Sequence, residues 1–237
     1  MGVFDIPGNL SAARRRLREF ADRERAVFIQ GFFKTGPGQY GEGDHFLGIR
    51  VPDVRKVARE FRSLPLADLR KLLRSKWHED RLLALVILVD QYERGGDRDA
   101  IYELYIASTD GINNWDLVDA SAPQIVGGHL ASRSRAPLYR LAKSKSVWER
   151  RIAMLATFHF IRANDFEYSL AIAEMLLGDM HDLIHKAAGW MLREIGKRDR
   201  AALEKFLAKH AARMPRTMLR YAIERLSPAA RRRFLKN

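Results

Sequence analysis

The stretch RIAMLATF, from Arg151 to Phe158, is the one from which the fold is read. A cation opens it, and small and large apolar residues follow without the strict alternation of a strand. The same pattern returns in RLLALVIL from Arg81 and in KAAGWMLR from Lys186. Each copy follows a shorter amphipathic segment: Leu66–Ser75, Pro137–Lys143 and Tyr168–Leu177. DASAPQIV from Asp119 and RYAIERLS from Arg220 fill the gaps, so the leading positions are 81, 119, 151, 186 and 220, with steps of 38, 32, 35 and 34 residues. Breaks at Pro52, Pro65, Gly95-Gly96, Gly111, Pro137, Gly178, Pro215 and Pro228 separate pieces of helical length. A near-constant step of this size is the mark of a stacked helical hairpin. The reading is an all-α, curved solenoid of HEAT-like helical hairpins, with the second helix of each pair lining a basic concave face. It takes residues 1–237 as one domain, with N-terminal helices and a Gly-rich loop over 1–62 and about five hairpins over 63–237.

Composition narrows the function classes. The 237 residues contain 42 Lys and Arg against 29 Asp and Glu, a net charge of +13, and 47% are hydrophobic, so this is a globular chain and not a basic tail. There is no cysteine, which excludes disulfides, Fe–S clusters and Cys-bound zinc. The N-terminal MGVFDIPGNL lacks a basic-then-apolar signal pattern, and Ile6 stands where a myristoylation signal needs Ser or Thr. The longest apolar run, Leu82–Val89, is too short to span a bilayer. The expectation is a cytoplasmic protein without membrane association, and a monomer.

The charge is uneven. Arg133–Arg162 holds eight cations and one acid, and Arg193–Asn237 holds fourteen cations and four acids, leaving the rest of the chain at −4. Such a bias points to an anionic partner, a nucleic acid or an acidic membrane, because a merely solvated face mixes both signs. In the repeat register the column Arg81, Asp119, Arg151, Lys186, Arg220 places four cations around one carboxylate. Cations in a row suit a phosphate backbone, each releasing counterions. Asp119 opposes that purpose. It reads either as an ion-pair partner of Arg81 or Arg151, as a helix-start acid favoured by the macrodipole, or as a chemical group. Trp115 lies four residues before Asp119, and Trp190 four after Lys186, so helices through these pairs put each tryptophan on the face of its charged neighbour. Trp77 and Trp148 hold similar places before Arg81 and Arg151, so a tryptophan at a hairpin corner is also a packing habit of the repeat. Trp190 has no such equivalent.

At these residues the chain resembles the AlkD-like alkylpurine DNA glycosylases, which are built from HEAT-like repeats. The matching blocks are FKTGPGQYGEGDHFLGIRVPDVRK (Phe33–Lys56), NNWDLVDAS (Asn113–Ser121), VWERRIAML (Val147–Leu155) and LIHKAAGWMLRE (Leu183–Glu194). The resemblance implies a monofunctional DNA N-glycosylase acting on cationic N3- or N7-alkylated purines in double-stranded DNA, with no metal or other cofactor. By the same resemblance, Asp119 matches the catalytic carboxylate, and Trp115 and Trp190 match aromatics that pack on the damaged nucleotide's sugar. Arg151 matches a DNA-contacting arginine, and Tyr40 a further aromatic of the pocket. Such an enzyme grips backbone and sugar and needs no pocket for a flipped base. Some relatives bind DNA without excising a base; keeping both tryptophans and the carboxylate favours activity here.

An N-alkylated purine leaves as a neutral base and needs no general acid, so a carboxylate that stabilises the oxocarbenium-like sugar suffices. Other patterns carry less. Gly36–Gly41 formally matches G-x-G-x-x-G, but no strand precedes it and no βαβ unit is readable, so it reads as a loop that brings Lys34 near a phosphate. His181-Asp182-Leu183-Ile184-His185 has the spacing of a zinc helix but falls at a hairpin bend without a third ligand. The competing class is a non-catalytic HEAT-repeat scaffold for nucleic acid or protein, since fold alone does not separate the two.

Overall fold

The computed structural model describes Asn9–Leu235; the leader reading at Ile6 lies outside these residues. Among them the regular structure is helical, and the one strand-like pairing is an isolated bridge between His45 and Trp77. The chain packs as two compact units that divide between Ser121 and Ala122.

The first unit contains α1 (Leu10–Arg18), α2 (Arg23–Phe32), α3 (Val51–Glu60), α4 (Leu66–Leu73), α5 (His78–Glu93), α6 (Arg98–Ile106) and α7 (Trp115–Asp119). Side-chain oxygens of Asn9, Asp22 and Asp97 cap α1, α2 and α6, each accepting an N–H from the first turn. Helix α5 is the centre. Its Leu82, Leu83, Leu85, Ile87 and Leu88 are buried, and α3, α4, α6 and α7 all pack on it. Its polar residues sit at its two ends: His78 to Arg81 are buried in the first turn, whereas Asp90 and Gln91 are half-buried and Glu93 exposed in the last. Between α2 and α3 the chain runs through turns that no repeat supplies. Gly48 there has φ of +77°, and a Cβ on it would lie 2.1 Å from the Asp22 carbonyl oxygen.

The second unit contains α8 (Gly128–Leu130), α9 (Ala136–Ala142), α10 (Val147–Ala156), α11 (Phe158–Arg162), α12 (Glu167–Met175), α13 (Asp182–Arg198), α14 (Arg200–His210), α15 (Arg216–Ile223) and α16 (Pro228–Leu235). A π-helical turn, Pro123–Gly127, runs directly into α8. Pro123 stands four residues after Asp119 and has no N–H to offer the Asp119 carbonyl, consistent with α7 ending there. Helices α10, α13 and α15 pack in succession, with α9 on α10 and with α12 and α14 on α13. The short-then-long alternation read from the sequence holds for α4–α5, α9–α10 and α12–α13, whose first helices fall within two residues of the expected segments, whereas in α6–α7 and α14–α15 the first helix is the longer. At the α13–α15 contact Gly189 admits the Met218 carbonyl oxygen to within 2.5 Å of where a Cβ would sit.

The register differs from the sequence reading in one place. Asp119, Arg151, Lys186 and Arg220 are each the fifth residue of their helix, whereas Arg81 is the fourth residue of α5. Hydrogen bonding gives the same offset. Arg81 donates to the carbonyl six residues before it, Ser75, at 2.8 Å. In α10 the residue that does this is Arg150, to Ser144 at 2.9 Å, and in α13 it is His185, to Asp179 at 2.5 Å. Arg81 therefore belongs with Arg150 and His185, one position off the proposed column.

Candidate active site and nucleic-acid interface

Helix α7 carries two of the expected site residues. Asn114 caps it, its Oδ1 accepting from the Trp115 N–H at 2.8 Å while its Nδ2 donates to Asp44 at 3.1 Å. Trp115 and Asp119 follow one turn apart, both half-buried, on one side of the helix. The Trp115 ring stacks on Phe33 at 5.3 Å and meets the exposed Phe32 edge-on at 6.2 Å. The stack continues from Phe33 to Phe46 at 5.0 Å and from Phe46 to the His78 imidazole at 4.5 Å. Beside Asp119, the buried Tyr105 shares a 3.0 Å hydrogen bond with Ser121 Oγ; burial and then the negative charge of Asp119 push its phenol above the ordinary range.

Behind this face the first turn of α5 assembles a buried charge cluster. Four consecutive ionisable residues, His78, Glu79, Asp80 and Arg81, are each at most 4% exposed, so every one must be satisfied within the protein. His78 places Nε2 at 2.8 Å from Asp116 and Nδ1 at 3.2 Å from Asp44. Burial opposes its charge, but Asp116 and the two carboxylate hydrogen bonds outweigh that and hold its pKa at about 9. Glu79 accepts backbone N–H bonds from Leu47, Gly48 and Ile49 at 2.8–3.1 Å. Asp80 takes both terminal nitrogens of the Arg18 guanidinium at 3.0 Å and the Ser75 hydroxyl at 2.8 Å. Arg81 pairs with Asp44, whose carboxyl stays below its ordinary range: burial works against this, and the His78 hydrogen bond and the Arg81 charge prevail.

Arg81 is thus a correction to the sequence reading. It is 4% exposed and bound to Asp44 and the Ser75 carbonyl, so it holds the corner of its own hairpin rather than facing a phosphate. Lys34 is exposed and Tyr40 half-buried in the turns between α2 and α3, where Gly41 donates to the Lys34 carbonyl at 3.1 Å. The residues that sequence reasoning missed are Asp44, His78, Glu79, Asn114 and Asp116. For His78 and Glu79 the visible signal is the run HEDR immediately before the most apolar segment of the chain.

In the second unit, Trp190 is half-buried on α13, its indole N–H donating to Glu194 at 3.1 Å and its ring 6.0 Å from Phe158. Lys186, one turn earlier, pairs with Asp182 at 2.8 Å; that hydrogen bond holds the Asp182 carboxyl below its usual range. Arg151 is 5% exposed and donates to the Leu183 carbonyl at 2.6 Å, so a large part of its role is to tie α10 to the first turn of α13. Arg220 is exposed on α15. His181 caps α13, its Nδ1 accepting from the Leu183 N–H, and His185 binds the Asp179 carbonyl. Among the described residues no group of His, Cys, Asp or Glu is arranged to hold a metal ion, and no helix is long and apolar enough to cross a membrane.

The family model of DNA alkylation repair enzymes covers residues 13–226, and the chain belongs to that family. Its fold is similar to a solved structure described as a predicted DNA alkylation repair enzyme from Enterococcus faecalis, with a TM-score of 0.67 at 17% identity over 88% of this chain and 97% of that one. Among curated proteins no relative matches. The family makes DNA the substrate and alkylation repair the role.

Proposed function

We propose that the protein is a DNA N-glycosylase that hydrolyses the N-glycosidic bond of N3- or N7-alkylated, cationic purines in duplex DNA. The observation that carries this reading is α7, which presents a half-buried carboxylate and a half-buried indole on one side, one turn apart, above a buried aromatic and ionic support.

The chemistry needs little more. The alkylated base departs neutral, and positive charge gathers on the sugar. A carboxylate about 4 Å away contributes on the order of 4 kcal/mol at an effective dielectric of 20, roughly a thousandfold in rate if it acts only in the transition state. Asp119 supplies that charge and orients the attacking water. The faces of Trp115 and Trp190 pack on the sugar and favour its developing cation. Lys186 and Arg220, with Lys34 and Tyr40 on the Gly-rich segment, contact the backbone, and the buried Arg151 contributes its charge. No pocket for the base is required, so bulky adducts are also substrates. The protein acts as an intracellular monomer without a cofactor. Release of 7-methylguanine from alkylated duplex, compared between wild type and Asp119→Asn, tests the reading. Loss of release with duplex binding retained supports it; full release by the variant rejects it.

A further inference from the structure

The ionic cluster at the start of α5 lies outside the proposed chemistry, yet it joins two segments far apart in sequence. His78 stands between Asp44 of the Gly-rich segment and Asp116 of α7. Both ring nitrogens face carboxylate oxygens, so both serve as N–H donors and the ring is an imidazolium. Asn114 adds a third tie, capping α7 with one end of its amide and holding Asp44 with the other. The same segment contributes Phe33 and Phe46, which fill the space between the His78 ring and the Trp115 ring. The second oxygen of Asp116 is buried without a hydrogen-bond partner, so His78 is the group that balances this carboxylate. The ionisable groups facing His78 are Asp44 from the loop, Asp116 from α7 and Arg81 from its own helix.

We propose that His78 is a positioning residue for base excision: it clasps the Gly-rich segment Phe33–Ile49 to the first turn of α7 and so sets the placement of Trp115 and Asp119. The proposal rests on the glycosylase reading for its catalytic consequence, but the clasp itself is a property of the folded protein. Removing one partner leaves a buried carboxylate uncompensated and lets α7 shift on its support. A misplacement of about 1 Å costs on the order of a hundredfold in rate without removing any group that touches the substrate.

The test uses the full chain with His78→Asn, which retains a donor toward Asp44 and loses the one toward Asp116, and Asp116→Asn, which retains the histidine. Three quantities are read: amide exchange of residues 33–49 and 113–119, the single-turnover excision rate, and duplex affinity. In both variants exchange over 113–119 is expected to rise at least tenfold and excision to fall at least tenfold, with a smaller loss of duplex affinity because Lys34 and Tyr40 lie on the loosened segment. In the wild type, protection over 113–119, corrected for intrinsic exchange, falls as pH rises from about 6.5 toward 9 and levels off above it, and in Asp116→Asn the levelling point moves toward neutral pH. Unchanged exchange over 113–119 in Asp116→Asn overturns the clasp, as does an equal loss of excision and affinity. If the wild type releases no base while the exchange results hold, the glycosylase reading fails and the clasp stands.

Discussion

Glu79 offers the most direct reading of how the Gly-rich segment is held. Its carboxylate accepts from three consecutive backbone N–H groups: Leu47 at 2.9–3.0 Å, Gly48 at 2.8 Å and Ile49 at 3.1 Å. The side chain is almost wholly enclosed, and so are the Gly48 and Ile49 amides. Glu79→Ala strands those two donors, each at about 1–3 kcal/mol, while water reaches the partly exposed Leu47 amide. The expected loss is about 3–5 kcal/mol, a large share of a typical folding free energy. Glu79→Gln keeps one acceptor oxygen for the same donors but forfeits charge assistance, so about 1–2 kcal/mol is expected. Equilibrium urea unfolding followed by far-UV circular dichroism measures both. A loss below about 1 kcal/mol in Glu79→Ala, or a loss in Glu79→Gln as large as in Glu79→Ala, refutes the account of this anchor.

Three further expectations follow from the same geometry. The pKa of His78 is raised from 6.5 to about 9, so its contribution is complete below pH 6.5 and is lost as pH rises toward 9; the linkage is on the order of 3 kcal/mol, read as a urea midpoint that falls between pH 6 and 9.5 and flattens in His78→Asn. Lys186→Ala and Arg220→Ala are each expected to reduce the salt slope of duplex binding by about one, whereas Arg81→Ala destabilises the fold and leaves the slope unchanged; fluorescence anisotropy titrations across a salt series separate the two classes. Gly189→Ala drives a methyl into the Met218 carbonyl and Tyr221 Cβ of α15, at 2.5 Å each, and is expected to cost about 1–3 kcal/mol in urea unfolding.

The helical hairpins were legible because their apolar spacing is local: a short amphipathic piece followed by a longer apolar one, repeated. The place of Trp115 and Asp119 one turn apart was legible for the same reason. Arg81 was misread because α5 opens with four ionisable residues, so a cation precedes the apolar run one position early. Periodicity also does not distinguish a cation that faces solvent from one that donates to a carbonyl, as Arg81 does to Ser75 and Arg151 to Leu183. The His78 cluster was illegible for a different reason. Its partners lie 34 and 38 residues away, and no local pattern records which distant carboxylate meets a buried imidazole. What the sequence did contain was the oddity of HEDR at the head of the most apolar helical run of the chain. Four charges there require partners, and that requirement is visible before the partners are known.

The central claim is that Asp119 stabilises the sugar cation as an alkylated purine departs. Single-turnover release of 7-methylguanine from alkylated duplex, measured for wild type and Asp119→Asn at equal fractions of bound DNA, tests it most directly. The account predicts measurable release by the wild type and a drop of about a thousandfold in the variant, with duplex affinity unchanged or slightly tightened as a negative charge is removed. Equal rates in the two proteins, or no release by the wild type on a duplex it binds, would contradict it.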